Sequence, residues 1–300
     1  MLPGMSVRRL AKARVAIVGA GNLASALAVC LREAGYGIEQ IVSRGRAASL
    51  RRGRRLAGEV GAIAVSAARA KVGAEIVWFC VPDGAIAGAA ESLVGAAGWS
   101  GKVALHSSGA LTSDELSVLR KRGAAVASVH PMMTFVRGSR PPLAGVPFAI
   151  EGDPKAARAA QTIVLELGGL PFTIRKEYKE AYHAWGMFAS PLLDALLAVS
   201  ERVAVAAGVR RKAARERMLP ILRQTLANYA RLGAAASFSG PIVRGDVATV
   251  AKHLKVLREV PGAGEVYTAL ARAALRDLPA KNRTALMRML KACADSSRAE

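Results

Sequence analysis

The feature that most constrains this chain is Gly19-Ala20-Gly21-Asn22-Leu23-Ala24, a G-x-G-x-x-A turn set between a strand and a helix. Arg14-Val-Ala-Ile-Val-Gly19 is a short β-branched run that reads as a buried strand. From Leu23 the apolar residues recur at Leu27, Cys30, Leu31 and Ala34, a helical spacing, and Gly35 ends that helix. In this context each small residue has a physical task. Gly19 permits the tight turn, Gly21 lacks the Cβ that would block a pyrophosphate, and Ala24 lets the helix sit close on the sheet. The helix N-terminus supplies free N–H groups and a partial positive charge to an anion.

The rest of the chain divides by pattern. Strands are expected at Ile38–Ser43, 62–65, 75–81, 102–106 and 124–130, alternating with Ala-rich helices, the arginine-studded 47–58 among them. A last strand–helix–strand stretch runs through 147–150, 154–167 and 170–174. Such alternation predicts a parallel sheet covered on both faces. After Arg175 the strand signals stop. A long apolar helix over 177–208, broken at Pro191, is followed by helices at 211–232, 246–259, 264–278 and 280–294. The expected organisation is an α/β domain over 1–175 and an all-helical domain over 176–300. The apolar helical faces exceed what one small bundle needs, which suggests either packing against the sheet domain or a dimer, and a homodimer is the expectation.

The first residues invite another interpretation. Ser6-Val-Arg-Arg-Leu-Ala-Lys12 loosely resembles a twin-arginine export signal, and an Ala24-Ser25-Ala26 cleavage-like triplet lies in the apolar run that follows. Gly19-Ala20-Gly21-Asn22 interrupts that run, so a folded strand and helix account for it better. No apolar stretch reaches the roughly 18 residues a membrane span needs. Three cysteines, Cys30, Cys80 and Cys293, are odd in number and far apart, which disfavours a disulfide framework or a zinc site and fits a reducing cytoplasm.

Lys plus Arg number 43 against 22 Asp plus Glu, a net charge of +21, and 31 of the 43 are arginine. This balance suits anionic partners. Arg51, Arg52, Arg54 and Arg55 form a basic helix face, but no nucleic-acid module or interleaved aromatics surround them, so nucleic acid is not an expected partner. The second strand ends in Ser43-Arg44 with Arg46 close by, where an NAD site usually places Asp or Glu for the ribose 2′-hydroxyl. A hydroxyl and guanidinium without a carboxylate favour a 2′-phosphate, hence NADP.

Ligands of open parallel sheets bind beyond the carboxyl ends of the strands. Three polar clusters fall there: Val81-Pro82-Asp83, with Asp83 a plausible N-cap; His106-Ser107-Ser108-Gly109; and His130-Pro131-Met132. Two of the four histidines therefore occupy equivalent strand ends, placed to contact substrate or nicotinamide. Lys179 and His183 share a helix face at i and i+4 and are candidate proton donors, or else an ordinary surface pair. Asp246 reads as a helix N-cap in the loop 240–246, where Arg244 would bind an anionic group or brace the loop.

Taken together, Gly19–Ala24, Val81-Pro82-Asp83, His106–Gly109, His130-Pro131-Met132 and Gly240–Asp246 resemble a two-domain family in which a Rossmann-like NADP-binding domain precedes a helical domain of unknown function, DUF2520. More distantly the chain is similar to the 6-phosphogluconate/β-hydroxyacid dehydrogenase, pyrroline-carboxylate reductase and prephenate dehydrogenase superfamily. The resemblance implies a doubly wound parallel Rossmann sheet followed by an all-helical substrate and dimerisation domain. It implies that Gly19, Gly21, Asn22 and Leu23 hold the pyrophosphate, Ser43 and Arg44 the 2′-phosphate, and Val81 and Pro82 border the nicotinamide ribose. Lys179 stands where the hydroxyacid dehydrogenases have a lysine, while His183 replaces their asparagine. Ser190-Pro191 departs from the Ser-Asn common in the family. The implied activity is NADP-dependent hydride transfer to or from a small carbonyl, imine or hydroxyacid. Lys179 or His183 would donate the proton and His106, Ser107 and His130 would orient substrate. The alternative is a non-catalytic NADP(H)-binding sensor.

Overall fold

The computed structural model describes residues 12–296, with side chains through residue 292. Of the basic stretch at the start, residues 6–11 lie outside the described residues. The apolar run after it is folded: Val15–Val18 is strand β1, and Asn22–Glu33 is helix α1, which buries both Ala24 and Ala26. The chain divides into two compact units, Met1–Met187 and Phe188–Glu300. Sequence reading put the division after residue 175. The first unit runs on because Lys179 and Tyr182, on the following helix, are buried with the sheet.

The first unit is an eight-stranded sheet. Its strands are β1, β2 (Ile38–Ser43), β3 (Ile63–Ser66), β4 (Ile76–Phe79), β5 (Val103–His106), β6 (Ala125–Pro131), β7 (Pro147–Gly152) and β8 (Leu170–Thr173). The spatial order is β3-β2-β1-β4-β5-β6-β7-β8. Its switch of direction at β1/β4 leaves a crevice beyond their carboxyl ends. Helices α2 (Ala47–Val60), α3 (Ile86–Ser92), α4 (Ser117–Arg120) and α5 (Pro154–Glu166) complete the cover.

Strand alternation fixes the two faces. Val15 and Ile17 of β1, with Trp78 of β4, join Leu27, Leu31, Leu56 and Ile163 on one side. Ala16 and Val18, with Val77 and Phe79, join Ile86, Leu93, Trp99 and Leu116 on the other. A central strand buried on both faces needs apolar residues at every position, which is why VAIV and IVWF show no polar alternation.

The sheet departs from the purely parallel expectation at one pairing. β7 runs antiparallel to β6, with Val129 opposite Ile150 and His130 opposite Ala149. The 132–146 connection contains no helix to carry the chain back across the sheet, so the next strand returns in the opposite sense. Every other pairing is parallel.

The second unit is helical. Helix α6 (Lys179–Ala189) belongs to the first unit through Met187 and ends at Ser190, where Pro191 opens α7 (Pro191–Ala206), the break anticipated from that proline. Helix α8 (Arg211–Ser237) carries Pro220 inside it and leaves helical geometry at Gly233, φ 76°, just past the expected end at Leu232. The presumed 240–246 loop contains a single helical turn, α9 (Pro241–Arg244). Three further helices, α10 (Val247–Leu257), α11 (Ala263–Asp277) and α12 (Arg283–Ser296), share a small core of Val250, Leu254, Leu275, Leu286 and Leu290.

Candidate functional site

At the end of β1 the chain turns on Gly19, φ +116°, a conformation that side-chain-bearing residues rarely adopt. A Cβ there would stand 2.3 Å from the Cys80 carbonyl oxygen, so the β1 and β4 exits approach only because position 19 has no side chain. Gly21 is different. It caps α1 with φ −83°, and a Cβ on it would meet nothing within 4 Å. Its bare Cα faces open space, the cradle a diphosphate requires. No acidic residue lies in the first turn of α1, so nothing opposes an anion at that N-terminus. Asn22 is exposed, and its Nδ2 donates to the Phe135 carbonyl (3.0 Å), tying the turn to the 132–146 connection. Leu23 is half-buried and Ala24 fully buried.

The end of β2 separates the two residues expected to share a 2′-phosphate. Arg44 is exposed, as are Arg46, Arg51, Arg52, Arg54 and Arg55. Ser43 is buried instead, its hydroxyl turned onto α2 at Gly53, where a Cβ would sit 2.3 Å from Oγ. Among the described residues that hydroxyl has no hydrogen-bond partner. The strand pleat sends Ser43 under the helix and Arg44 outward, so the guanidinium alone is presented.

At the end of β4, Val81 is half-buried beside Gly19 and Pro82 is exposed. Asp83 caps no helix. Its carboxylate accepts from the Ser108 hydroxyl (2.8 Å), and that hydroxyl accepts the Leu111 N–H (2.9 Å). The Ser107 hydroxyl accepts from the Trp78 indole (2.8 Å) and reaches the Cys80 thiol, which burial pushes up to about 12.

His106 corrects an expectation. It is fully buried, with Nε2 donating to the Thr112 carbonyl (2.9 Å) and Nδ1 accepting from the Ser108 N–H (3.1 Å). Both ring nitrogens are taken, and burial holds the imidazole neutral, its pKa lowered to about 4. The first residue past a strand terminus can face the crevice, but His106 is the last residue of β5 and points into the structure. It shapes the 107–112 turn rather than touching substrate.

His130 and His183 do come together. Their ring centroids lie 6.4 Å apart at 83°, with Gly109 between them. A Cβ on Gly109 would stand 2.8 Å from His183 Cδ2 and 2.9 Å from His130 Nε2. His130 is half-buried and pairs through Nδ1 with the Tyr182 hydroxyl (2.8 Å). Lys179 is 1% exposed. Its Nζ donates to the Ser108 carbonyl (2.9 Å) and to the Ser128 hydroxyl, which itself donates to that same carbonyl (3.0 Å). Burial lowers this lysine to about 8, against the opposing pull of Glu151 and Asp83. The helical pair therefore splits in role. Lys179 clamps the β5 exit from below, and His183 stays half-exposed above it.

Sequence reasoning placed Asp83 and Ser108 in the polar clusters at the strand ends, Asp83 as an N-cap, and missed Tyr182 and Ser128 as members of this cluster. Tyr182 was visible as the aromatic three residues past Lys179, on the same turn, but the i, i+4 rule selected only its neighbours. Elsewhere, Asp246 caps α10 as expected, accepting from the Thr249 N–H (2.9 Å), while Arg244 is exposed. Among the described residues no cluster of three or more His, Cys, Asp or Glu could hold a metal, and no helix is long and apolar enough to cross a membrane.

A model of the Rossmann-like domain matches residues 3–131, and a model of the domain of unknown function DUF2520 matches residues 146–274. No curated protein matches the chain. Among solved structures, a Bacteroides fragilis protein named as a candidate NADP oxidoreductase is 23% identical, with TM-score 0.73, over 87% of this chain and 97% of its own. A Thermotoga maritima protein is 26% identical, with TM-score 0.67, over 95% and 99%. An Aspergillus terreus reductive aminase in complex with NADPH and ethyl-5-oxohexanoate is 16% identical, with TM-score 0.63, over 89% and 94%. These likenesses establish a shared fold across nearly the whole length.

Proposed function

We propose that this protein, a member of the family that joins a Rossmann-like domain to a DUF2520 domain, is an NADP-dependent oxidoreductase acting on a small carbonyl, imine or hydroxyacid. The observation that carries the reading is the β1–α1 turn, where Gly19 closes against Cys80 and Gly21 opens onto free space above an uncompensated helix N-terminus. The fold neighbours named for NADP or NADPH support it.

In this reading the backbone of 19–23 holds the diphosphate, and the exposed Arg44 faces the 2′-phosphate without a competing carboxylate at the end of β2. Val81 and Pro82 border the nicotinamide end. When bound, the nicotinamide supplies or accepts the hydride. The chain's own residues handle position and protons. His130 and Ser107 orient the substrate, Lys179 and His106 set the loop between them, and the half-exposed His183 beside His130 is placed to exchange a proton. The test is turnover. NADPH should be oxidised faster than NADH across a panel of ketones, oxoacids and cyclic imines, and Arg44→Asp should weaken NADPH roughly tenfold with little effect on NADH. NADPH bound but never oxidised on any substrate would favour the sensor reading.

The bare helices of the second unit favour a homodimer. No residue of α7 is buried, α8 buries only Ala214, and Leu219, Ile221, Leu226, Tyr229 and Leu232 are exposed on α8. Such a run of uncovered apolar side chains calls for a partner surface, and light scattering that reports a monomer at micromolar concentration would refute it. A reducing compartment, the cytoplasm, fits the free thiols of Cys30 and Cys80.

A further inference from the structure

We propose that Tyr182 is a positioning residue that locks His130 as its Nε2–H tautomer, leaving that N–H free to donate to the substrate's carbonyl oxygen. The first half of this statement stands on the geometry alone. The second rests on the oxidoreductase reading.

Tyr182 is 6% exposed, and its hydroxyl has one hydrogen-bond partner among the described residues, His130 Nδ1 at 2.8 Å. A buried O–H that fails to donate is costly. Donation to Nδ1 satisfies it, and Nδ1 must then be the unprotonated nitrogen. A neutral imidazole carries its single proton on the other side, at Nε2. That atom has no partner among the described residues, yet it is not one of the buried orphans, so it reaches solvent. It sits beside Gly109, within reach of the space a Cβ would have filled. Two edge-to-face contacts fix the ring: Tyr182 at 5.5 Å and 86°, and His183 at 6.4 Å and 83°.

The surroundings keep this imidazole uncharged. Burial is the largest influence against a charge on this ring, followed by Lys179 and His183 facing it from α6, while the Asp83 carboxylate at the β4 exit opposes them and His106 on β5 adds least. Together they bring the pKa down to about 4. Gly109 contributes by absence, since any side chain there would collide with the Nε2 edge. A neutral N–H of fixed direction polarises a carbonyl without giving up its proton, and its strength as a donor does not change between pH 5 and pH 8.

The tautomer can be read directly. In protein labelled with 15N-histidine, two-bond 1H–15N correlations distinguish a protonated from an unprotonated ring nitrogen, and the spectrum of His130→Gln identifies the signals of His130 among the four histidines. The wild-type spectrum should show Nε2 protonated and Nδ1 bare from pH 6 to pH 8. In Tyr182→Phe the two tautomers should mix, NADPH affinity should hold within about twofold, and kcat should fall roughly tenfold or more, as when an orienting partner of a histidine is removed. A wild-type Nδ1–H signal, or a Tyr182→Phe spectrum identical to wild type, would overturn the proposal. If Tyr182→Phe does not fold, the wild-type spectrum decides alone. If the protein binds no NADPH, the oxidoreductase reading and the substrate half fall, while the spectrum still decides the tautomer.

Discussion

At the β1 exit the working parts are defined by what they lack, whereas at the exits of β4, β5 and β6 they are defined by side chains held against one another. Gly19 and Gly21 need only a backbone conformation and an empty volume. His106, Lys179 and Tyr182 depend on burial, on hydrogen bonds at the ends of two strands, β5 and β6, and on a helix arriving from later in the chain. The first kind of site tolerates distant change and fails abruptly when a Cβ is added. The second fails by degrees, as pH or a neighbouring residue shifts one partner at a time.

That contrast can be broken first at Gly19. Gly19→Ala combines a forbidden φ with a Cβ 2.3 Å from the Cys80 carbonyl, so unfolding in urea should show a loss of roughly 3 kcal/mol or more. A loss under about 0.5 kcal/mol, the scale of an ordinary surface change, would mean that the turn relaxes freely.

The side-chain cluster should respond instead to acid. His106 and His130 both have folded pKa values depressed to about 4 against 6.5 unfolded. Below pH 6.5 the unfolded chain binds protons that the folded one refuses, so stability present at neutral pH is lost as pH falls from 6.5 towards 4. For the fully buried His106 this amounts to roughly 3 kcal/mol. Urea unfolding at pH 7 and pH 4.5 should show it. His106→Asn should be less stable at neutral pH yet flatter across that interval, and an equally steep pH dependence in the variant would remove His106 as the cause.

Gly21→Ala sharpens the comparison with the smallest effect. A methyl there meets no protein atom, so stability should change by less than about 0.5 kcal/mol. NADPH should nonetheless bind about tenfold more weakly, because the methyl enters the space of the diphosphate. Equal affinity in the variant would place the ligand elsewhere.

The same contrast explains what could be read from the sequence. VAIV followed by Gly19-x-Gly21 needs only local geometry, and the alternation of strands and helices after it indicates a covered, mostly parallel sheet without any long-range knowledge. Val81, Pro82 and Arg44 were placed by position on a strand end, and they lie there. Side-chain direction was not legible. Ser43 and His106 are each the last residue of a strand, and whether such a residue faces the crevice or the helices depends on pleat and twist. The antiparallel turn into β7 was hidden for a related reason, since strand sense follows from the missing crossover helix rather than from the strand's own residues. Tyr182 escaped notice because its task exists only once β6 brings His130 to α6.

The account turns on the backbone of residues 19–23 holding a dinucleotide, and calorimetric titration of the folded wild-type protein addresses it most directly. It predicts saturable binding of NADPH, one molecule per chain, with NADH weaker by about tenfold in the absence of the 2′-phosphate. Heat traces that stay flat with both coenzymes would contradict it.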